Sequence, residues 1–130
     1  MVALDTGFFV AMMRGSKKAI SLWREFKKEK IRPIISTLVV GELLYIFYRE
    51  GKSKEAKEIV ERMAGVGEVE NVSVNVVTEG AGIKHSLGIP YVDALIGATA
   101  LINGCKKLYT SDRKHMKRLE GKGITVFVID

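Results

Sequence analysis

Short apolar runs alternate with longer stretches in which apolar residues recur every three or four positions, a pattern that predicts strands separated by helices. Val2 to Asp5 reads as a buried strand and Phe8 to Arg14 as a short helix. Ser16 is suited to cap a helix running through Glu29, with Ala19, Leu22, Trp23 and Phe26 on one face. Arg32 to Ser36 reads as a second strand and Thr37 to Glu50 as a largely apolar helix. Ser53 is expected to cap the next helix, in which Ala56, Ile59, Val60 and Met63 follow helical spacing. Glu68 to Val74 alternates imperfectly and reads as an edge-like strand, after which Asn75 is expected to cap a helix to Leu87. Pro90 suits the first turn of a further helix containing the apolar run Ala94 to Ile102. Lys107 to Thr110 reads as a strand, Asp112 to Glu120 as a basic helix and Ile124 to Ile129 as a last strand. Gly15, Gly51, Gly65, Gly88, Gly104 and Gly121 fall where these helices should stop. The expected fold is α/β: a parallel sheet of about five strands with helices on both faces, three layers in all. With no repeat or linker, residues 1–130 are expected to form one domain.

Acids interrupt this pattern at four places. Asp5 ends the run Val2-Ala3-Leu4, Asp93 opens the run Ala94 to Ile102, and Asp112 follows Leu108-Tyr109-Thr110-Ser111. Glu42 is the only charge between Pro33 and Arg49. Isolated carboxylates are costly in apolar surroundings, so the four acids are expected to share a site. Asp5 and Asp112 come at the ends of predicted strands, the edge of an open α/β sheet where ligands bind. Asp93 falls in a first helical turn, where the macrodipole favours a negative charge. Taken singly, each has a structural explanation: Asp5 and Asp112 as turn formers, Asp93 as a dipole-compensating acid, Glu42 as a solvent-facing residue.

Like charges at one edge must either protonate or be neutralised by a cation. The runs containing Glu42 and Asp93 hold no Lys, Arg or His, so a divalent cation with oxygen ligands, Mg²⁺ or Mn²⁺, is the expected cofactor. His85, His115 and Cys105 show no zinc-ligand spacing. Mg²⁺ usually keeps several waters, and one of these can be the nucleophile.

Charge narrows the class of partner. The chain carries a formal net charge of +6. Its basic residues concentrate in Arg14 to Arg32, with eight against two glutamates, and in Lys106 to Lys122, with seven against Asp112 and Glu120. Most are expected to be solvated, but two such regions flanking an acidic site suit a polyanion. No apolar run reaches the ~18 residues that span a bilayer, and Asp5 interrupts the N-terminal one, so no membrane partner, no signal peptide and a cytoplasmic location are expected. The single cysteine, Cys105, is expected to be an inert or partly exposed thiol. The chain has no glutamine and three asparagines amid many Lys and Glu, a composition common in hyperthermophile proteins.

Leu4-Asp5-Thr6, Glu42-Leu43, Asp93-Ala94-Leu95-Ile96 and Thr110-Ser111-Asp112, in this order on an alternating α/β chain, resemble the PIN domain family and within it the VapC-type toxins. The resemblance implies a metal-dependent endoribonuclease that leaves 5′-phosphate and 3′-hydroxyl ends. It implies that Asp5, Glu42, Asp93 and Asp112 are both the catalytic and the metal-binding acids. Thr6 and Thr110, with Ser111 a weaker third, would support them by orienting a carboxylate or water. It further implies an RNA substrate, a homodimer and an inhibitory antitoxin partner. Trp23, Phe26, Tyr45, Phe47 and Tyr48 offer apolar area for such contacts, although aromatic residues at helical spacing more often belong to a core. Arg14, Arg113 and Lys114 are candidates for binding RNA phosphates. Relatives often carry a further acid where this chain has Lys114 and an aromatic where it has His115. Lys114 therefore leaves one metal or two open, and His115 is expected to pack in the aromatic's place. His85 is expected to be structural or exposed.

Other α/β families with strand-end acids fit less well. A response-regulator receiver would need paired acids after the first strand and a lysine after the last. A haloacid-dehalogenase-like phosphatase would need an aspartate at position 7, which is Gly7. Within the PIN family, a nuclease of RNA processing and a non-catalytic RNA-binding or scaffolding module are the alternatives to a toxin.

Overall fold

The computed structural model describes residues 1–130. Five strands form one parallel sheet: β1 (Val2–Leu4), β2 (Ile34–Ser36), β3 (Glu68–Glu70), β4 (Lys107–Thr110) and β5 (Thr125–Val128). Six α-helices connect them: α1 (Thr6–Met13), α2 (Lys17–Glu29), α3 (Thr37–Arg49), α4 (Ser53–Val66), α5 (Val74–Leu87) and α6 (Tyr91–Ile102). A 3-10 helix spans Met116–Lys122 before β5.

The strand order β3-β2-β1-β4-β5 decides where a site can form. From β1 the chain winds outward through β2 to β3, then crosses back to β4 and continues the other way to β5. Right-handed crossovers place α1 to α4 on one face and α5, α6 and the 3-10 helix on the other. The winding reverses between β1 and β4, which pair with Ala3 opposite Leu108 and Leu4 opposite Tyr109. That reversal falls at their C-terminal ends, which carry Asp5 and Thr110-Ser111-Asp112, the place where open α/β sheets bind ligands.

The core is a cluster of 30 buried residues. Its centre is β1, β2 and β4, whose Leu4, Ile35 and Leu108 are sealed between the helical layers. Phe8 and Phe9 of α1 pack edge to face and meet Trp23 of α2. Every residue from Ala94 to Ala100 in α6 is buried, because this helix is covered by the sheet, α5 and the 3-10 helix; an all-apolar helix requires such a setting. Gly97 permits one of these approaches: a Cβ there would lie 2.7 Å from Leu119 of the 3-10 helix. Arg32 ties β2 to β3, donating to Glu68 and to the Gly65 and Gly67 carbonyls, so it is used structurally.

Several local expectations shift. Ser53 begins α4 rather than capping it, and Lys52 at the cap position makes no side-chain bond. Ser73, not Asn75, caps α5 by accepting from the Val76 N–H. The third strand stops at Glu70 rather than running to Val74, where α5 begins. Pro90 stands at the cap of α6, one residue before its first turn. The basic helix expected from Asp112 starts at Met116 and is 3-10, because Asp112 folds back on the next residues. Cys105 is buried and His85 exposed. No helix is long and apolar enough to cross a membrane.

Candidate active site

Asp5 leaves β1 and caps α1, its Oδ1 accepting the Phe8 N–H at 3.0 Å. Its Oδ2 accepts the Thr110 hydroxyl at 2.5 Å, across the β1–β4 junction. The same hydroxyl accepts the Asp112 N–H at 2.9 Å. Thr110 is fully buried, and these two bonds fix its hydroxyl direction: the proton points at Asp5 and the lone pair at Asp112. The backbones come this close because residue 7 is glycine. A Cβ there would stand 2.6 Å from Ser111 Oγ and 2.9 Å from the Ser111 nitrogen.

Asp112 turns back on its own loop, Oδ1 accepting from the N–H groups of Lys114 at 2.8 Å and His115 at 3.1 Å. Its Oδ2 faces the imidazole of His115, whose Nδ1 lies 3.7 Å from it and 3.6 Å from Asp93 Oδ2. One ligand atom from each of Asp93, Asp112 and His115 lies within 4.8 Å of the other two. Glu42, on α3, accepts the Thr6 hydroxyl at 2.5 Å and acts electrostatically on Asp93.

Burial separates the acids. Asp5 is 4% exposed, Asp93 and Asp112 are half-buried, and Glu42 is exposed. The expectation of an acid enclosed in apolar surroundings therefore fails for Glu42: its helix is amphipathic here, burying Val39 and Leu43 and turning Glu42 outward. Burial pushes the Asp5 carboxyl up to about 7, against the bonds from Thr110 and Phe8 and with added repulsion from Asp93 and Asp112. Asp93 is also raised, by burial and then by Asp112, with His115 opposing and Glu42 reinforcing. Burial raises Asp112 too, but the N–H groups of His115, Lys114 and Met116 and the His115 imidazole outweigh it, so Asp112 ends below its ordinary value.

The other predicted residues scatter. Ser111 is exposed and lies against Gly7. Lys114 is exposed beside the acids, and Arg113 pairs with Asp130. Arg14 stands past the far end of α1, roughly 13 Å along the helix axis from Asp5 at 1.5 Å per residue. Trp23 and Phe26 belong to the core, whereas Tyr45 is 63% exposed on a groove of about 470 Å³ lined also by Thr6, Gly41, Glu42, Ile46 and Val92. A Cβ at Gly41 would meet nothing. His115 does not replace the expected aromatic: the neighbouring Met116 fills the core and His115 turns to the acids. The signal was the three-residue step from Asp112 to His115; a search for His/Cys zinc spacing passes over it. Gly7 gave no signal.

A model of the PIN domain matches residues 2–122. The chain belongs to the PIN domain family. No curated protein matches it by sequence. Among solved structures, this PIN domain is similar to VapBC2 of Rickettsia felis bound to a promoter DNA fragment, with 20% identity, TM-score 0.79 and both chains fully covered. It is similar to DNA-bound VapBC of Salmonella typhimurium, with 19% identity over 97% of this chain and 96% of that one and TM-score 0.77. It is similar to VapC20 of Mycobacterium tuberculosis, a toxin that cleaves the sarcin-ricin loop, with 19% identity over 95% and 96% and TM-score 0.69. At such identities the likeness establishes the α/β PIN fold, as the sequence pattern predicts.

Proposed function

We propose that this PIN domain is a divalent-cation-dependent endoribonuclease, the VapC-type toxin of a toxin–antitoxin pair, with Asp5, Glu42, Asp93 and Asp112 as its site acids. One observation carries the reading: Asp5, Asp93 and Asp112 meet at the sheet's switch point, where burial, reinforced by repulsion from Asp93 and Asp112, pushes the Asp5 carboxyl up to about 7. The donors fit a hard divalent ion: carboxylate oxygens of Asp93 and Asp112 converge within a few ångströms, and Asp5 has lone pairs left on both oxygens. Bound Mg²⁺ or Mn²⁺ supplies Lewis acidity toward a phosphoryl oxygen and toward water at neutral pH.

The chain's own groups hold the geometry. Thr110 fixes Asp5 and, through the Asp112 N–H, the loop that carries Asp112. Thr6 holds Glu42 at the rim. Lys114, exposed beside Asp112, would meet an RNA phosphate, and Arg113 would do so on releasing Asp130. The groove beside Glu42, with Tyr45 and Val92 exposed, gives an apolar segment of an antitoxin a place to cover the acids. A homodimer belongs to the same proposal.

The test is a panel of structured RNAs incubated with purified protein in Mn²⁺ and in EDTA, alongside Asp93→Asn. Cleavage in Mn²⁺ alone, lost in the variant, is the expected result. Binding without cleavage would favour an RNA-binding module instead, and undiminished activity of Asp93→Asn would remove the site assignment. Co-expression with the product of an adjacent small reading frame, if it suppresses cleavage, supports the antitoxin; light scattering at micromolar concentration tests the dimer.

A further inference from the structure

We propose that His115 is itself a metal ligand through Nδ1, making this a mixed nitrogen–oxygen centre tuned toward a first-row transition ion rather than Mg²⁺. This rests on the metal-dependent reading above and narrows the ion it would use.

Two geometric features point there. Nδ1 stands almost equally far from Asp93 Oδ2 and Asp112 Oδ2, at 3.6 and 3.7 Å, too long for a hydrogen bond to either. Ligands about 2.1 Å from a six-coordinate ion are about 3 Å apart at right angles and about 4.2 Å apart across it. The observed separations exceed the right-angle spacing by roughly 0.6–0.7 Å, so small side-chain movements would bring these atoms onto one ion. The carboxylate atoms are also divided by task. Asp112 uses Oδ1 for the turn to Lys114 and His115 and presents Oδ2 to the imidazole.

Local packing sets the imidazole in place. Met116 is buried and anchors the chain to the core on one side of His115, and the His115 N–H is tied to Asp112 on the other. The close contact of Gly97 with Leu119 holds the 3-10 helix against α6, the helix that carries Asp93. The ring therefore has no core cavity to fill and is delivered to two acids from different elements.

The chemistry gives the consequence. Mg²⁺ favours oxygen ligands and sheds water reluctantly, whereas imidazole suits transition ions. Exchanging an oxygen donor for nitrogen should leave Mg²⁺ weakly held while retaining Mn²⁺. His115→Asn replaces the nitrogen donor with an amide oxygen at nearly the same place.

Calorimetric titration of the metal-free full chain with MnCl₂ and with MgCl₂ reads the preference, and pulsed electron paramagnetic resonance of the Mn²⁺-loaded protein reads nitrogen coordination directly. The wild type should show imidazole nitrogen coupling. His115→Asn should lose that coupling and lower the ratio of Mn²⁺ to Mg²⁺ affinity about tenfold. Circular dichroism confirms that the variant is folded, and His115→Ala serves if it is not. An unchanged ratio, or the absence of nitrogen coupling in metal-loaded wild type, overturns the assignment while leaving a carboxylate metal site intact. Failure of the wild type to bind either ion overturns both this inference and the metal-dependent reading.

Discussion

Asp5 and Asp112 leave adjacent parallel strands at the same sheet edge, and each folds back to accept backbone N–H groups, yet their environments differ in kind. Asp112 stands half in solvent, its charge fed by the N–H groups of Lys114, His115 and Met116, and its carboxyl titrates below the ordinary value. Asp5 is sealed, has one backbone N–H and one hydroxyl as donors, and is pushed up to about 7 with Asp93 and Asp112 adding to the strain. The lesson is that topology brings acids together, whereas the number of donors and the access of water decide which of them stays charged unaided. Asp112 is anchored and ionised by the protein alone. Asp5 is the acid that gains most from a cation.

The largest break in that contrast is Asp5→Asn. The amide can still cap α1, but it removes the charge, and RNA cleavage should fall at least about a hundredfold, the upper range for groups that tune a metal site. The same change should stabilise the metal-free protein at pH 8. The Asp5 pKa is raised on folding, from 3.8 to about 7, so the folded state holds its proton while the unfolded state releases it; stability falls as pH rises across that window. The loss is at most about 4 kcal/mol at 1.36 kcal/mol per pKa unit. Asp93 acts in the same direction; Asp112, lowered on folding, contributes stability above pH 3.8 that disappears only under acid. Denaturation in EDTA should therefore give a lower unfolding midpoint at pH 8 than at pH 5, with the slope reduced by Mn²⁺ and largely absent in Asp5→Asn. A flat wild-type profile would mean that Asp5 is not sealed as described.

Thr110→Val sharpens the comparison by removing the one atom that both sides share. Asp5 loses its hydroxyl donor and the Asp112 N–H loses its acceptor. A buried group left unpaired costs about 1–3 kcal/mol, and activity should drop roughly tenfold by misplacement of the acids. Urea denaturation and single-turnover cleavage measure the two effects; Thr110→Ser, which keeps the hydroxyl, should recover most of the activity. Gly7→Ala tests the close approach that makes the shared bond possible. The new methyl meets the Ser111 backbone nitrogen, which cannot swing aside as a side-chain tip would, so the strand exits must separate. A destabilisation of about 1–3 kcal/mol is expected in urea, typical of overpacking.

Much of this arrangement is legible in the chain because it depends on local rules. The strand exits at Asp5 and Thr110 follow from short apolar runs ending in turn-forming residues, and the position of Asp93 follows from a helix start. What the chain hides depends on how elements meet. Glu42 looked enclosed because its neighbours are apolar, but helical geometry turns Val39 and Leu43 inward and Glu42 outward. Ser73 and Asn75 are both competent caps two residues apart, and only the length of β3 selects between them. Gly7 is an ordinary glycine until β4 comes alongside β1. By sequence either His115 or Met116 could enter the core; the apolar Met116 does so, which frees the imidazole for the acids.

The smallest effects separate the two exits by their surroundings. Lys114 follows Asp112 by two residues and is exposed, whereas Arg14 lies beyond the end of the helix that Asp5 begins. If RNA runs across the acid edge, Lys114 meets a phosphate and Arg14 does not. Each phosphate contact with a single strand contributes about −0.7 to the slope of log affinity against log salt. Lys114→Ala should make that slope shallower by about 0.7 and weaken binding a few-fold at low salt, with Arg14→Ala close to wild type in both. Fluorescence anisotropy of a labelled RNA with Asp93→Asn as the background keeps the substrate intact during the titration. Equal slopes in the two variants would remove Lys114 from the RNA path, and a larger change for Arg14→Ala would move that path to the distal end of α1, away from the acids.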